Sequence, residues 1–397
     1  MTYINAVKYI RSLPDLQSDT GSIERMRIIC NTLGNPQKKL KAIHVCGDVG
    51  KDSCITMLGS VLKNTSHSFG RCSLTNLYEP RECIFINGNV ISHFEFADIV
   101  KVISKAYKSN FNDITPSQSE VITIAATVCF ANNGCEIAIF ERTAQKNDPA
   151  SITELPIVSL LTPFFERDIT DGRFEHLISK GTLETVSSPQ HKETYSIISD
   201  ACVLAGSRLT VPIYSDMEIK NITLFKTEFS YRGENYSIRS FSPYQTVNAI
   251  TVIEAINSLI RCGFQINAEE IKKGLFSAGL DGKCETISIE PTVIVSTVFE
   301  KNDVDTLVAS LSQVKSQFSK QIDVYVEPGC EIDLTALSVS LASYEIPHNP
   351  PISLSVEDAS KLLSNASSLT AETALILIGD KNYIYKAKIA FNNRLVL

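Results

Sequence analysis

A short apolar run, Leu40-Lys41-Ala42-Ile43-His44-Val45, leads into a glycine-bearing turn, Gly47-Asp48-Val49-Gly50-Lys51-Asp52-Ser53. Helical spacing follows at Ile55, Leu58, Val61 and Leu62. Strand, glycine turn and helix in that order are the opening unit of a parallel α/β sheet. Such a turn also suits a phosphate. Glycines let backbone amides approach phosphate oxygens, and the helix N-terminus adds positive potential. On this reading Gly47 and Gly50 line the phosphate, Lys51 reaches its outer oxygens and Ser53 ligates Mg²⁺. The spacing departs from the full G-x-x-x-x-G-K-[ST] pattern, since Val45 holds the first glycine position and Asp52 separates the lysine from the serine. A tight turn with an exposed Lys51 is the competing reading.

The remaining chain keeps the same alternation. Helical spacing marks Val7 to Leu13, Ile23 to Leu33 (stopped at Gly34) and Phe94 to Tyr107. Glu120 to Ala131 reads as a buried helix ended by Asn132-Asn133-Gly134, and Glu136–Phe140 and Ile157–Leu161 as strands. Residues 221–240 differ. Ile222–Phe225, Phe229 and Tyr236–Ile238 have strand character around an Arg232–Asn235 turn, which predicts a small β element. A helix then spans Val247 to Cys262. After Glu285 the alternation restarts with a strand at Val293–Val298, a helix at Val304–Phe318, and strands at Gln321–Val326 and Ala374–Gly379. Ser353–Ser368 is serine-rich with helical apolar spacing. The expectation is an α/β protein with an ATPase-type domain over 1–285 and a Rossmann-like α/β domain over 291–397.

The chain has 397 residues, with 37 Lys and Arg against 44 Asp and Glu, a net charge of −7. An acidic balance argues against nucleic acid or an anionic membrane as partner. No apolar run reaches the roughly 20 residues that span a bilayer, and Met1–Arg11 has no signal-peptide core. The 11 cysteines are scattered without paired spacing, which predicts reduced, buried thiols in a cytoplasmic protein. The histidines lie far apart, with no metal spacing, and His44 reads as structural. Cys46 and Cys54 flank the glycine turn near a helix N-terminus, a position that can lower a thiol pKa.

The surroundings of the turn resemble the folylpolyglutamate synthase/dihydrofolate synthase family of the Mur-ligase superfamily, whose loop reads H-V-A-G-T-N-G-K-G-S. Leu33-Gly34-Asn35-Pro36-Gln37 precedes the strand as in that family. Ile86-Asn87-Gly88 with Ile91-Ser92 looks like its I-N-G-x-x-I-S. Glu120, Thr123, Ala125-Ala126 and Phe130-Ala131 match its E-x-x-T-A helix, and Glu141 stands where its magnesium-associated glutamate does. Gln245, Asn248 and Ala249 match H-Q-x-x-N-A, Gly282-Lys283 and Glu285 resemble P-G-R-x-E, and Ala374–Gly379 with Tyr383 resembles its closing strand. The resemblance spans nearly the whole chain. It implies an ATP- and Mg-dependent ligase joining L-glutamate to a folate through an acyl phosphate. Nucleotide would rest on Gly47, Gly50, Lys51, Ser53, Asn248 and Lys283, and Mg²⁺ on Ser53 and Glu141.

The departures fall on the chemistry. Asp48, Val49 and Asp52 replace the loop's Thr, Asn and second Gly. Two like charges roughly 5 Å apart repel by roughly 3 kcal/mol at an effective dielectric near 20, so carboxylates flanking a triphosphate oppose it. Ser73–Leu77 replaces T-S-P-H-L, Arg142–Asn147 replaces a glycine-rich V-G-L-G-G-R, and Thr162-Pro163-Phe164-Phe165 replaces G-L-D-H. Glu175 falls near the family's carbamylated lysine, and Ser296–Glu300 replaces D-G-A-H-N. Core positions persist while site groups change, which is the pattern of relaxed catalysis. The sequence therefore predicts a folylpolyglutamate-synthase-like protein with impaired or lost catalysis and no intact catalytic set. A non-catalytic homologue would serve a protein partner that the sequence does not identify. The alternative is an active ligase.

Overall fold

The computed structural model describes residues 1–14, 22–74, 79–111, 114–145, 147–153, 156–165, 177–280, 282–297, 301–318, 321–364 and 373–393. The contacts divide the chain into two units, 1–213 with 248–275, and 214–247 with 276–397.

In the first unit the strands are β1 (Lys41–Cys46), β2 (Phe69–Cys72), β3 (Ile84–Ile86), β4 (Asn89–Val90), β5 (Ile137–Arg142), β6 (Val158–Leu161), β7 (Glu184–Ser187) and β8 (Arg208–Thr210). They form one sheet in the order β4-β3-β2-β5-β1-β6-β7-β8. From β2 to β8 all neighbours are parallel, and β3 and β4 add an antiparallel edge. β1 and β5, central in the parallel sheet, are buried almost throughout, including His44 of β1 and Glu141-Arg142 at the end of β5. The helix Gln118–Asn132 packs into the core cluster that also holds Phe96, Val100 and Phe140. Its buried side chains occupy every face, and Gly134 turns the chain at φ +65°. The expected helices appear at Tyr3–Ser12, Ser22–Thr32, Lys51–Lys63 and His93–Asn110.

The second unit holds two sheets. β9 (Met217–Ile222), β10 (Thr227–Tyr231) and β11 (Glu234–Ile238) form an antiparallel three-stranded element. Its first strand ends at Ile222, short of the expected Phe225. Thr223 instead donates its amide to the Lys226 carbonyl at 2.8 Å and turns the chain. The five-stranded sheet has the order β12-β13-β16-β14-β15, built from β12 (Glu285–Ile289), β13 (Thr292–Thr297), β14 (Gln321–Val326), β15 (Ile352–Ser353) and β16 (Thr373–Gly379). β13, β16, β14 and β15 are parallel.

The stretch expected as a boundary, 286–291, lies in a hairpin, because β12 pairs antiparallel with β13. A hairpin and a domain linker share the same sequence mark, here Glu290-Pro291 followed by a fresh apolar run. The β element, expected within the first domain, groups with the second unit, where Leu224 and Phe241 pack with Ile294, Val308 and Ile376. The helix expected to Phe318 stops at Val314 and tightens into a 3-10 turn over Lys315–Gln317. The Ser-rich stretch begins at the end of β15 and is helical over Val356–Ser364, and its residues 365–368 lie outside the described residues. No helix among the described residues is long and apolar enough to cross a membrane.

Candidate functional site

β1 is the strand from which the first sheet fans both ways, with β5 on one side and β6 on the other. Its last residue, Cys46, is in register with Arg142 and Leu161. The turn Gly47–Gly50 thus emerges beside Glu141-Arg142 and beside Thr162. Open α/β sheets place ligands at such carboxyl ends.

Both glycines are required here. Gly47 has φ +143°, and a Cβ on it would come within 2.7 Å of the Thr162 carbonyl oxygen. Gly50 has φ +85° at the N-cap of the helix Lys51–Lys63, and a Cβ on it would meet Asn248 Oδ1 at 2.8 Å. The structure therefore brings Gly47, Gly50, Lys51, Ser53 and Asn248 together. Cys54 reinforces the grouping through a thiol contact to the Asn248 carbonyl at 4.0 Å. Glu141 joins them from β5, opposite Val45. Lys283 belongs to the other unit, where its amide donates to the Leu280 carbonyl at 3.1 Å.

The loop's polar groups are engaged within the chain. The amides of Asp48 and Val49 donate to the Pro163 carbonyl at 2.9 and 3.4 Å. The Phe165 amide donates to Asp48 Oδ2 at 2.8 Å. Lys51 Nζ donates to the Gly47 carbonyl. The Asp48 carboxylate thus takes an amide hydrogen. Asp52 acts on Arg71, a β2 side chain stacked at 3.9 Å over the Phe85 ring. Burial pushes the Arg71 pKa down and the Asp52 charge opposes that shift. Each of the two carboxylates expected to flank a triphosphate thus also interacts within the chain, Asp48 with the Phe165 amide and Asp52 with the Arg71 charge.

Glu141 is buried, and its Oε2 accepts the Ser73 hydroxyl at 2.6 Å and the Leu74 amide at 3.1 Å. Ser53 is buried in the first turn of its helix. Among the described residues no three or more His, Cys, Asp and Glu side chains gather as a metal site. In this arrangement the donor set does not fit Mg-triphosphate. Two loop amides face a carbonyl, the lysine caps its own loop, and an oxygen of the metal candidate is taken. Residues 75–77, Lys146, Glu175 and residues 298–300 lie outside the described residues.

Three groups escaped sequence reasoning. Gln190 donates from Nε2 to the Thr162 carbonyl at 3.0 Å and accepts the Phe164 amide at 3.1 Å. Asp148, 3% exposed, accepts the Thr143 amide and hydroxyl and the Ala150 amide, and burial raises its pKa. Its position after the altered glycine segment was the only signal available. Arg71 had none, because its partner is on another element. Cys46 and Cys54 are buried, as the reading of reduced, buried thiols expects. Burial pushes both thiols up to about 12, outweighing the helix end, so neither is a reactive thiolate. All 11 cysteines are free.

No protein-family model matches the chain. Among curated proteins it is similar to the dihydrofolate synthase/folylpolyglutamate synthase of Bacillus subtilis, 22% identical over 392 residues, covering 90% of this chain and 89% of that one. It is also 21% identical over 335 residues to the folylpolyglutamate synthase of Lacticaseibacillus casei, covering 80% and 78%. Among solved structures, the apo form of the L. casei synthase superposes with a TM-score of 0.81 at 19% identity, over 100% of both chains. A folylpolyglutamate synthase complex with AMPPCP and folate gives 0.78 at 19%, again over 100% of both. At these identities the structural likeness carries the fold.

Proposed function

The chain belongs to the folylpolyglutamate synthase/dihydrofolate synthase family as a divergent member, and from that premise we propose that it keeps the ligase scaffold with impaired or lost amide-bond chemistry. The observation that carries the reading is the engagement of Glu141 by Ser73 and the Leu74 amide. A carboxylate already accepting two hydrogen bonds on one oxygen is a poor bridge to Mg²⁺, which demands near-ideal octahedral oxygen geometry. Without the cation, charge developing on a transferring phosphoryl group lacks its main stabiliser. Nucleotide, if taken up, rests on Gly47, Gly50, Lys51, Ser53 and Asn248. A non-catalytic member acts through binding, with a folate, a nucleotide or a protein as partner. Cytoplasmic residence is part of the proposal, supported by the free thiols. Phosphate release with Mg-ATP, tetrahydrofolate and L-glutamate tests it, and robust turnover overturns it.

Two observations favour the second reading, an active ligase extending a folate with L-glutamate. Gly50 abuts Asn248 at the head of the helix that carries Lys51 and Ser53, and a neighbour of the same fold has been captured with AMPPCP and folate.

A further inference from the structure

We propose that Thr162–Phe165 is a strap that latches the glycine loop shut through Asp48, and that Mg-ATP reaches the loop only when the strap lets go. This rests on reading Gly47–Ser53 as the nucleotide loop.

The strap leaves the end of β6 and is fixed at three levels. At its root, the Thr162 amide donates to the Cys46 carbonyl at 2.8 Å, and Gly47 packs against Thr162 with no room for a Cβ. At its centre, the Pro163 carbonyl accepts the amides of Asp48 and Val49. At its far end, the Phe165 amide donates to the Asp48 carboxylate at 2.8 Å, a charge-assisted bond. Asp48 is therefore held through both backbone and side chain.

Gln190 braces the strap from behind. Its Nε2 donates to the Thr162 carbonyl at 3.0 Å and to Ser187 Oγ at 3.3 Å, while its Oε1 accepts the Phe164 amide at 3.1 Å. It thus grips the residues on either side of Pro163 and presents the Pro163 carbonyl to the loop. The carbonyl is the electrostatic opposite of what the loop's amides offer a phosphate. Asp48 and Val49 cannot donate to a phosphate oxygen and to Pro163 at once, so nucleotide and strap compete. Apparent affinity for Mg-ATP is then the intrinsic affinity multiplied by the fraction of unlatched loop.

Two measurements test this on the full chain. Amide hydrogen exchange at Asp48, Val49 and Phe165, without nucleotide, reads the strap. Calorimetric titration with Mg-ATP reads the loop. Asp48→Ala removes the carboxylate anchor, and Gln190→Ala removes the brace without changing charge. Both are expected to speed exchange about tenfold and to tighten Mg-ATP binding about fivefold. Asp48→Asn keeps a carbonyl acceptor for Phe165, so it should leave exchange near wild type and separates latching from charge. Unchanged exchange in both Asp48→Ala and Gln190→Ala overturns the latch. Faster exchange with unchanged Mg-ATP affinity, or no binding by any variant, overturns the competition. The loop assignment fails separately if Lys51→Ala in the Asp48→Ala background leaves Mg-ATP binding intact, a result that does not touch the exchange readout.

Discussion

The carboxylate of Glu120 meets the guanidinium of Arg25 at 3.0 Å, with both residues buried. The same oxygen accepts the Ser22 hydroxyl at 2.9 Å, and the other accepts Tyr107 Oη at 3.0 Å. The glutamate that matches the family's helix motif is thus a joint tying three helices, Ser22–Thr32, His93–Asn110 and Gln118–Asn132.

Removing Glu120 would take a buried carboxylate away from the Arg25 guanidinium and from two hydroxyls. Glu120→Ala is expected to lower unfolding free energy by about 3–5 kcal/mol, and Glu120→Gln, which keeps an acceptor, by less. Urea denaturation checks this. Equal losses for the two variants would mean that a neutral acceptor contributes nothing and that the charge carries the whole effect.

Asp52 and Arg71 should be energetically coupled. Asp52→Asn is expected to cost about 0.5–1 kcal/mol through lost attraction to the half-buried guanidinium. In an Arg71→Met background only the helix-terminus share, about 0.3–1 kcal/mol, remains. A double-mutant cycle measures the difference. Zero coupling would leave Asp52 facing the loop as a repulsive charge after all.

Gly47 and Gly134 both have positive φ, but only Gly47 is hemmed in. Gly134→Ala should cost about 1 kcal/mol, the backbone share alone. Gly47→Ala should cost about 3 kcal/mol or more, because the Thr162 carbonyl has to move. Thermal unfolding of the pair separates them, and similar melting losses would contradict the packing at Thr162.

His44 should make the fold acid-sensitive. Its Nε2 lies 2.6 Å from Thr153 Oγ1, which itself donates to the Ala150 carbonyl, so the imidazole Nε2–H is the donor. Burial, with Arg142 adding to it, holds its pKa well below the usual 6.5. Below about pH 6.5 the unfolded chain takes up a proton that the folded chain refuses. Stability should therefore fall as pH drops from about 6.5 towards the folded-state pKa, at up to roughly 1.4 kcal/mol per pH unit. Urea midpoints between about pH 7.5 and 5 should decline less steeply for His44→Asn. Parallel profiles would remove His44 from the account.

Local signals were legible where they needed no partner. The strand before Gly47 and the helix after Gly50 appear where apolar spacing placed them. So do the buried helix stopped before Gly134 and the parallel strands at 137–142, 158–161 and 321–326. Punctuation was ambiguous. Glu290-Pro291 turned out to be a hairpin corner, and the β element groups with the later unit, because which sheet a strand joins depends on contacts distant in sequence.

The candidate site divides the same way. Residue types and order alone identified a glycine loop with a lysine and a serine, and an altered set of groups around it. These are properties of adjacent residues, and dihedral preference and periodicity act over a few positions. Where each charge points was decided only by the tertiary structure. Asp48 meets Phe165, 117 positions away, Asp52 acts electrostatically on Arg71, and Glu141 meets Ser73, 68 positions away. An ionised side chain in a half-buried place takes the nearest donor the fold delivers, and that donor comes from a neighbouring strand whose identity no local pattern encodes.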